Sequence, residues 1–298
     1  MSREQRAQAR SRIQKGDLSR TVAKQRADFN SVFERHPLGN DIGLVPIVIG
    51  GVPALDVKVS GADGDGDGVI LFLHGGGYVV GTPRSGANVA APLARQTGLR
   101  VVALDYRLAP EAPFPAAVDD ALAAYKELLD SGREVFIAGD SAGGGLALAT
   151  ILAARREDLP LPPAVVVFSP WVDLTLSGAS MDARGDFDPL FSRAHMEAYA
   201  EHYLAGHDPK DELASPLLAD LTGLPPLLIQ VGTAEVLLDD SLQLAARAAE
   251  QEVDVSLDVV AGAPHVYPYM LGLMDEAETA LARAAQWLTQ RGFGKRTA

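Results

Sequence analysis

No cysteine occurs among the 298 residues, so disulfides, thiolate metal sites and cysteine nucleophiles are all excluded. Basic charge is short as well: 26 Lys and Arg stand against 39 Asp and Glu, a formal net charge of -13. That balance argues against a nucleic-acid partner, because phosphate binding needs a basic face to displace counterions. Long apolar runs are missing too. No stretch reaches the roughly 18 residues that make a membrane-helix candidate, and the opening MSREQRAQARSRIQKGD lacks the apolar core of a secretory signal. The expectation is a cytoplasmic protein with no membrane partner.

What is present suits a globular chain: 47% hydrophobic and 22% charged residues are ordinary for a protein that buries a sizeable core. Val22, Phe29 and Phe33 recur at helical spacing before His36 and Pro37 end the pattern, which predicts a short amphipathic helix, a lid or a loose arm. From about residue 45, short runs rich in Val, Ile and Leu alternate with helical stretches. PIVIGG and ALDVKVS read as a paired opening; VILFLHG, RVVALDY, EVFIAGD, AVVVFSP, LLIQVG and VSLDVV follow as buried strands. The clearest helical face is Val118, Ala121, Leu122, Tyr125, Leu128 and Leu129. Strand and helix in turn imply an α/β fold with a mostly parallel central sheet flanked by helices, antiparallel only at its start. Thr175 to about Leu217 breaks the rhythm with no strand and several helix-like patches. Such an insertion should lie over one edge of the sheet as a helical cap, with Gly185 and Pro189 as bends. The chain then divides into N-terminal cap helices over 1–44 and a catalytic domain over 45–298, with the cap insertion at about 175–217.

Asp63, Asp65, Asp67 and Gly68 copy the opening of a calcium loop. The twelfth position, where a bidentate Glu completes coordination, holds His74, and the flanks read as strands. A hairpin turn is expected there, and no metal.

The strongest chemical signal is Gly139-Asp140-Ser141-Ala142-Gly143, set between the strand EVFIA and the helical run GGLALATILAA. A sharp strand-to-helix turn holds its serine in strained geometry above the sheet, at a helix N-terminus that favours negative charge. Ser141 is therefore the expected nucleophile. His74-Gly75-Gly76-Gly77-Tyr78 follows the strand VILFL. Bare backbone there offers N–H donors to an oxyanion, so Gly75 and Gly76, joined by Ala142, are the expected oxyanion hole; His74 reads as structural. The base should follow the late strands, which selects His265 over His36, His195, His202 and His207. For the third member, Glu235 comes first after LLIQVG, whereas Asp239 and Asp240 begin a helix; Glu235 is preferred and Asp239 is second. The order Ser, acid, His fits an α/β-hydrolase fold.

HGGGYVVGT, DYRLAPEAPFPAAVDDALAAY, GDSAGGGLA, SPWVDLT, QVGTAEVLLDDS and GAPHVY together resemble the bacterial hormone-sensitive-lipase-like esterases of the α/β-hydrolase superfamily, from residue 45 to the end. The resemblance implies Ser141, His265 and the Gly75, Gly76 and Ala142 amides in the roles above, a helical cap, and hydrolysis of short acyl esters or small lactones without a cofactor. It also raises a homodimer, on no other ground. Two positions depart from the pattern: Glu235 stands where relatives usually carry Asp, and Ala112 where they usually carry His. The expected function is a serine carboxylesterase acting on short-to-medium acyl esters, with a monoterpene-lactone-type hydrolase as runner-up. A non-catalytic ligand-binding protein of the same fold is the rival from another class, and the presence of His265 argues against it. Tyr78, Phe187, Phe191, Met196 and Tyr199 are candidate substrate contacts.

Overall fold

The computed structural model describes residues 3–34, 38–61 and 68–292. Two helices come first, α1 (Arg3–Ser11) and α2 (Val22–Glu34). The second is the helix expected from Val22, Phe29 and Phe33, and its two phenyl rings lie 5.0 Å apart. The first follows no hydrophobic pattern and is held by polar contacts. Arg6 pairs with Glu276 at 2.6 Å and donates to the Ala261 carbonyl, Arg10 donates to that of Gly262, and Ala9 is completely buried. The helix end expected at His36 and Pro37, and the turn carrying Asp63, Asp65 and Asp67, lie outside the described residues.

Strands β1 (Ile42–Ile49) and β2 (Val52–Val59) form an antiparallel hairpin about Gly50 and Gly51. Pairing extends back to Ile42 opposite Val59, so the sheet begins ahead of the expected boundary at 45; Ile42 and Leu44 pack partly against the core and draw the strand out. Then follow β3 (Gly68–Leu73), α3 (Pro83–Thr97), β4 (Arg100–Leu104), α4 (Ala116–Asp130), β5 (Glu134–Asp140), α5 (Ala142–Arg156) and β6 (Val165–Phe168). The insertion carries α6 (Ser180–Ala183) and α7 (Arg193–Leu204). The chain returns through β7 (Leu227–Ala234), α8 (Leu238–Glu250), β8 (Val255–Pro264) and α9 (Asp275–Arg291).

The strands order as β1-β2-β4-β3-β5-β6-β7-β8, parallel from β4 to β8 and antiparallel before it. β3 and β6 are buried along their whole length, because helices cover both faces of the sheet and leave no side for polar alternation. The carboxyl ends of β3, β5, β6, β7 and β8 open into the loops that carry the chemistry-bearing residues, as parallel sheets arrange them. Over them, Lys15 Nζ donates to the Gly185 carbonyl at 2.7 Å and His195 Nε2 to that of Gly16 at 2.9 Å. Those two bonds join the N-terminal segment to the insertion. Among the described residues, no helix is long and apolar enough to cross a membrane.

Candidate active site

Only Ser141 separates β5 from α5, and its backbone sits at φ 54° and ψ -123°, which a side-chain-bearing residue adopts at a cost. Backbone bonds over-determine it: its N–H donates to Phe168 O at 2.8 Å, and its carbonyl accepts from Gly144, Gly145 and Trp171. A Cβ on Gly139 would collide with the Gly143 carbonyl and one on Gly143 with that of Leu73, so the turn closes only with glycine at both places. Ala142 opens α5, where amides have no intrahelical acceptor.

The glycine loop leaves the end of β3. Gly76 has φ 127°, and a Cβ there would strike the Val80 carbonyl. The Gly76 carbonyl in turn accepts from the amides of Val79 and Val80 at 3.0 and 2.9 Å. His74 lies buried beneath, its ring stacked on Tyr106 with 4.4 Å between centroids and its Nδ1 donating to Gly75 O at 2.8 Å. Burial lowers its pKa to about 4, so it is a neutral strut and not a base. Asp140, beside the nucleophile, is also buried. It accepts from Tyr269 Oη at 3.1 Å and faces the Gly75 amide; burial outweighs those contacts and the nearby His265, and pushes its carboxyl up to about 7.

Glu235 and His265 meet at the ends of β7 and β8. His265 Nδ1 lies 2.6 Å from Glu235 Oε2, while Glu235 Oε1 accepts from the Gly232 amide and from Ser169 Oγ, both at 2.8 Å. Ser169 Oγ accepts in turn from Val266 N–H at 3.0 Å. Ser141 therefore hangs from Phe168 and the His265 loop from Ser169, two consecutive residues at the end of β6. Burial pulls the imidazole pKa down, but the charge and hydrogen bond of Glu235, with Asp188 and Asp140 farther off, raise it overall. Asp239 and Asp240 are engaged elsewhere. Asp239 Oδ2 accepts from the Ser180 amide at 2.9 Å, and Asp240 Oδ2 from the amides of Val172 and Asp173 at 2.9 and 3.0 Å.

The expected substrate contacts are placed unequally. Phe191 sets its ring edge-on to His265 at 5.2 Å and to Tyr199 at 6.5 Å, and Tyr199 lies over Gly77. Met196 is buried in α7. Tyr78 is buried too, stacked on Tyr203 at 3.8 Å. Phe187 stays 63% exposed, apart from this cluster.

A family model described as alpha/beta hydrolase fold matches residues 70–269, which span the glycine loop, the elbow, Glu235 and His265. The chain belongs to the α/β-hydrolase fold-3 family. It is 42% identical over 261 residues to an acetyl-hydrolase of Streptomyces hygroscopicus, covering 85% of this chain and 86% of that protein. It is 34% identical over 257 residues to an esterase of Acinetobacter venetianus, covering 85% and 84%. A crystal structure of an esterase from the bacterial hormone-sensitive lipase family superposes with a TM-score of 0.90 at 39% identity, over 98% of this chain and 99% of that one.

Three residues around this fold-3 site carry no signal readable from the sequence alone. Ser169 joins Glu235 to the His265 loop, Tyr269 reaches Asp140, and Asp188 joins the cap to Val236. Ser169 stands inside SPWVDLT, a stretch that marks the family without disclosing this bond.

Proposed function

We propose that this chain is a serine carboxylesterase that hydrolyses short-to-medium acyl esters through an acyl-enzyme on Ser141. The observation that carries the reading is the buried Glu235–His265 pair, 2.6 Å apart, hung from the same strand end as a serine in left-handed geometry. Relatives named as an acetyl-hydrolase and an esterase support it.

In this mechanism His265 takes the Ser141 proton as the hydroxyl oxygen attacks the ester carbonyl. Glu235 holds the Nδ1–H tautomer, leaving Nε2 as the base, and stabilises the imidazolium that forms. Negative charge gathers on the former carbonyl oxygen, where the amides of Gly76 and Ala142 receive it, the Gly75 amide expected beside them being turned to the Asp140 carboxyl. His265 then returns the proton to the departing alcohol, and water repeats the sequence on the acyl-enzyme. Phe191 and Tyr199, packed near His265 and Gly77, crowd the acyl side and favour small acyl groups.

The test is Ser141→Ala assayed on p-nitrophenyl esters of rising chain length. Turnover should fall by at least about 10⁴-fold with the circular dichroism unchanged, and acetyl to butyryl esters should lead the wild-type panel. Retained turnover in the variant would refute the nucleophile.

A further inference from the structure

Asp188 belongs to the cap, in the loop before α7, and its side chain is buried there. Its Oδ1 accepts from the amides of Leu190 and Phe191 at 2.7 and 2.9 Å. Its Oδ2 crosses to the body of the protein and accepts from the amide of Val236 at 2.8 Å, the residue next to Glu235. One carboxylate thus joins the cap loop that sets Phe191 against His265 to the turn that sets Glu235 against the same imidazole.

We propose that Asp188 is a positioning residue of the hydrolytic site, fixing the cap on the catalytic turn and holding His265 between Glu235 and Phe191. The inference rests on the function proposed above and extends it to a residue outside the triad. Two effects follow from the geometry. The bonds donated by Leu190 and Phe191 fix the Phe191 backbone, and so the ring that limits how far the imidazole can swing, and the bond from Val236 fixes that loop on the catalytic turn. The carboxylate also adds negative charge near His265, which already faces Glu235 from the end of β7 and Asp140 from the end of β5. Asp188 therefore supports the protonated imidazole that forms as Ser141 attacks.

Asp188→Asn keeps the shape and removes the charge; its amide group must also oppose an N–H donor at one of the three contacts. Assayed with p-nitrophenyl acetate, the variant should lose about 10- to 100-fold in kcat/KM, mostly in kcat, and the acid limb of its pH profile should move to lower pH. Asp188→Glu keeps the charge on a longer arm. It should leave the acid limb in place while kcat/KM falls, and it serves as the second variant should the first not fold. Ser180→Ala removes another tie between cap and turn, the bond that Ser180 Oγ donates to Val236 O and the one it accepts from the Asp239 amide, without touching a charge, and should not move the limb. An Asp188→Asn enzyme within twofold of wild type overturns the proposal, and so does one that is slower with its acid limb unmoved. An Asp188→Glu enzyme as fast as wild type overturns it as well. Ser141→Ala run alongside separates the two readings: if it keeps wild-type turnover the functional reading falls and takes this inference with it, whereas an inert Ser141→Ala beside unaffected Asp188 variants sinks this inference alone.

Discussion

Glu235 and Asp239 carry the same functional group four positions apart, and their neighbours give them different tasks. Both oxygens of Glu235 are occupied, one by His265 and the other by the Gly232 amide and Ser169 hydroxyl. In Glu235→Gln the new NH2 must oppose one of those donors, so the imidazole loses its tautomer or its orientation. A fall in kcat of about 10³–10⁴-fold is expected. Asp239 accepts only from the cap amide of Ser180 among its described side-chain bonds, and an Asn oxygen serves that donor equally well. Asp239→Asn should stay within about tenfold of wild type. Steady-state kinetics on p-nitrophenyl acetate rank the two, and the reverse order would move the acid to Asp239. The places of Ser141, Glu235 and His265 in the fold were legible because each depends on local grammar: a glycine-flanked turn, a strand end, a loop before the last helix. Asp188 was not, because its importance arises only when residue 188 folds back against residue 236.

Among the described residues, the eight strands stood out as runs of Val, Ile and Leu, and α2 and α4 as hydrophobic stripes. α1 lies within the expected N-terminal cap helices but carries no hydrophobic stripe of its own, for a physical reason. Its hold on the body runs through Arg6 and Arg10 to strand carbonyls and Glu276, and a periodicity of apolar residues cannot report such contacts. α2 uses the same device closer to the site. Arg26 Nε donates to Val79 O and Nη2 to Ala109 O, both at 2.8 Å, so the helix holds the segment that leaves the glycine loop. Its ion pair with Glu111 at 2.6 Å is largely in water, the carboxylate being 65% exposed. Glu111→Gln should therefore cost less than about 1 kcal/mol. Arg26→Ala, which strips two carbonyls of a charged donor, should cost about 1.5–3 kcal/mol and lower kcat by loosening the loop behind Gly76. Urea midpoints and kcat measured together decide this; equal costs for the two variants would mean the ion pair, and not the carbonyl bonds, holds the helix.

For the molecule as a whole, two fully buried groups pull the pH dependence of stability in opposite directions. His74 has its pKa lowered from 6.5 to about 4, by burial against its bond to Gly75. Below pH 6.5 the unfolded chain takes up a proton that the folded imidazole refuses, so stability is lost as pH falls toward 4. Asp140 has its pKa raised from 3.8 to about 7, chiefly by burial. Its contribution is complete below pH 3.8 and is lost as pH rises through about 7. Each group acts with a slope near 1.4 kcal/mol per pH unit inside its window, and between about pH 4 and 6.5 the slopes cancel. Asp140→Asn, which still offers Tyr269 an acceptor oxygen, removes one side of the balance. Contributions common to both proteins drop out of the difference, so between pH 6.5 and 4 the variant should lose about 3 kcal/mol more stability than the wild type. A series of urea denaturations across that range measures it. Parallel curves for the two proteins would mean that Asp140 is ionised in the fold at acid pH, with its charge held by the Gly75 amide and the Tyr269 hydroxyl in spite of burial.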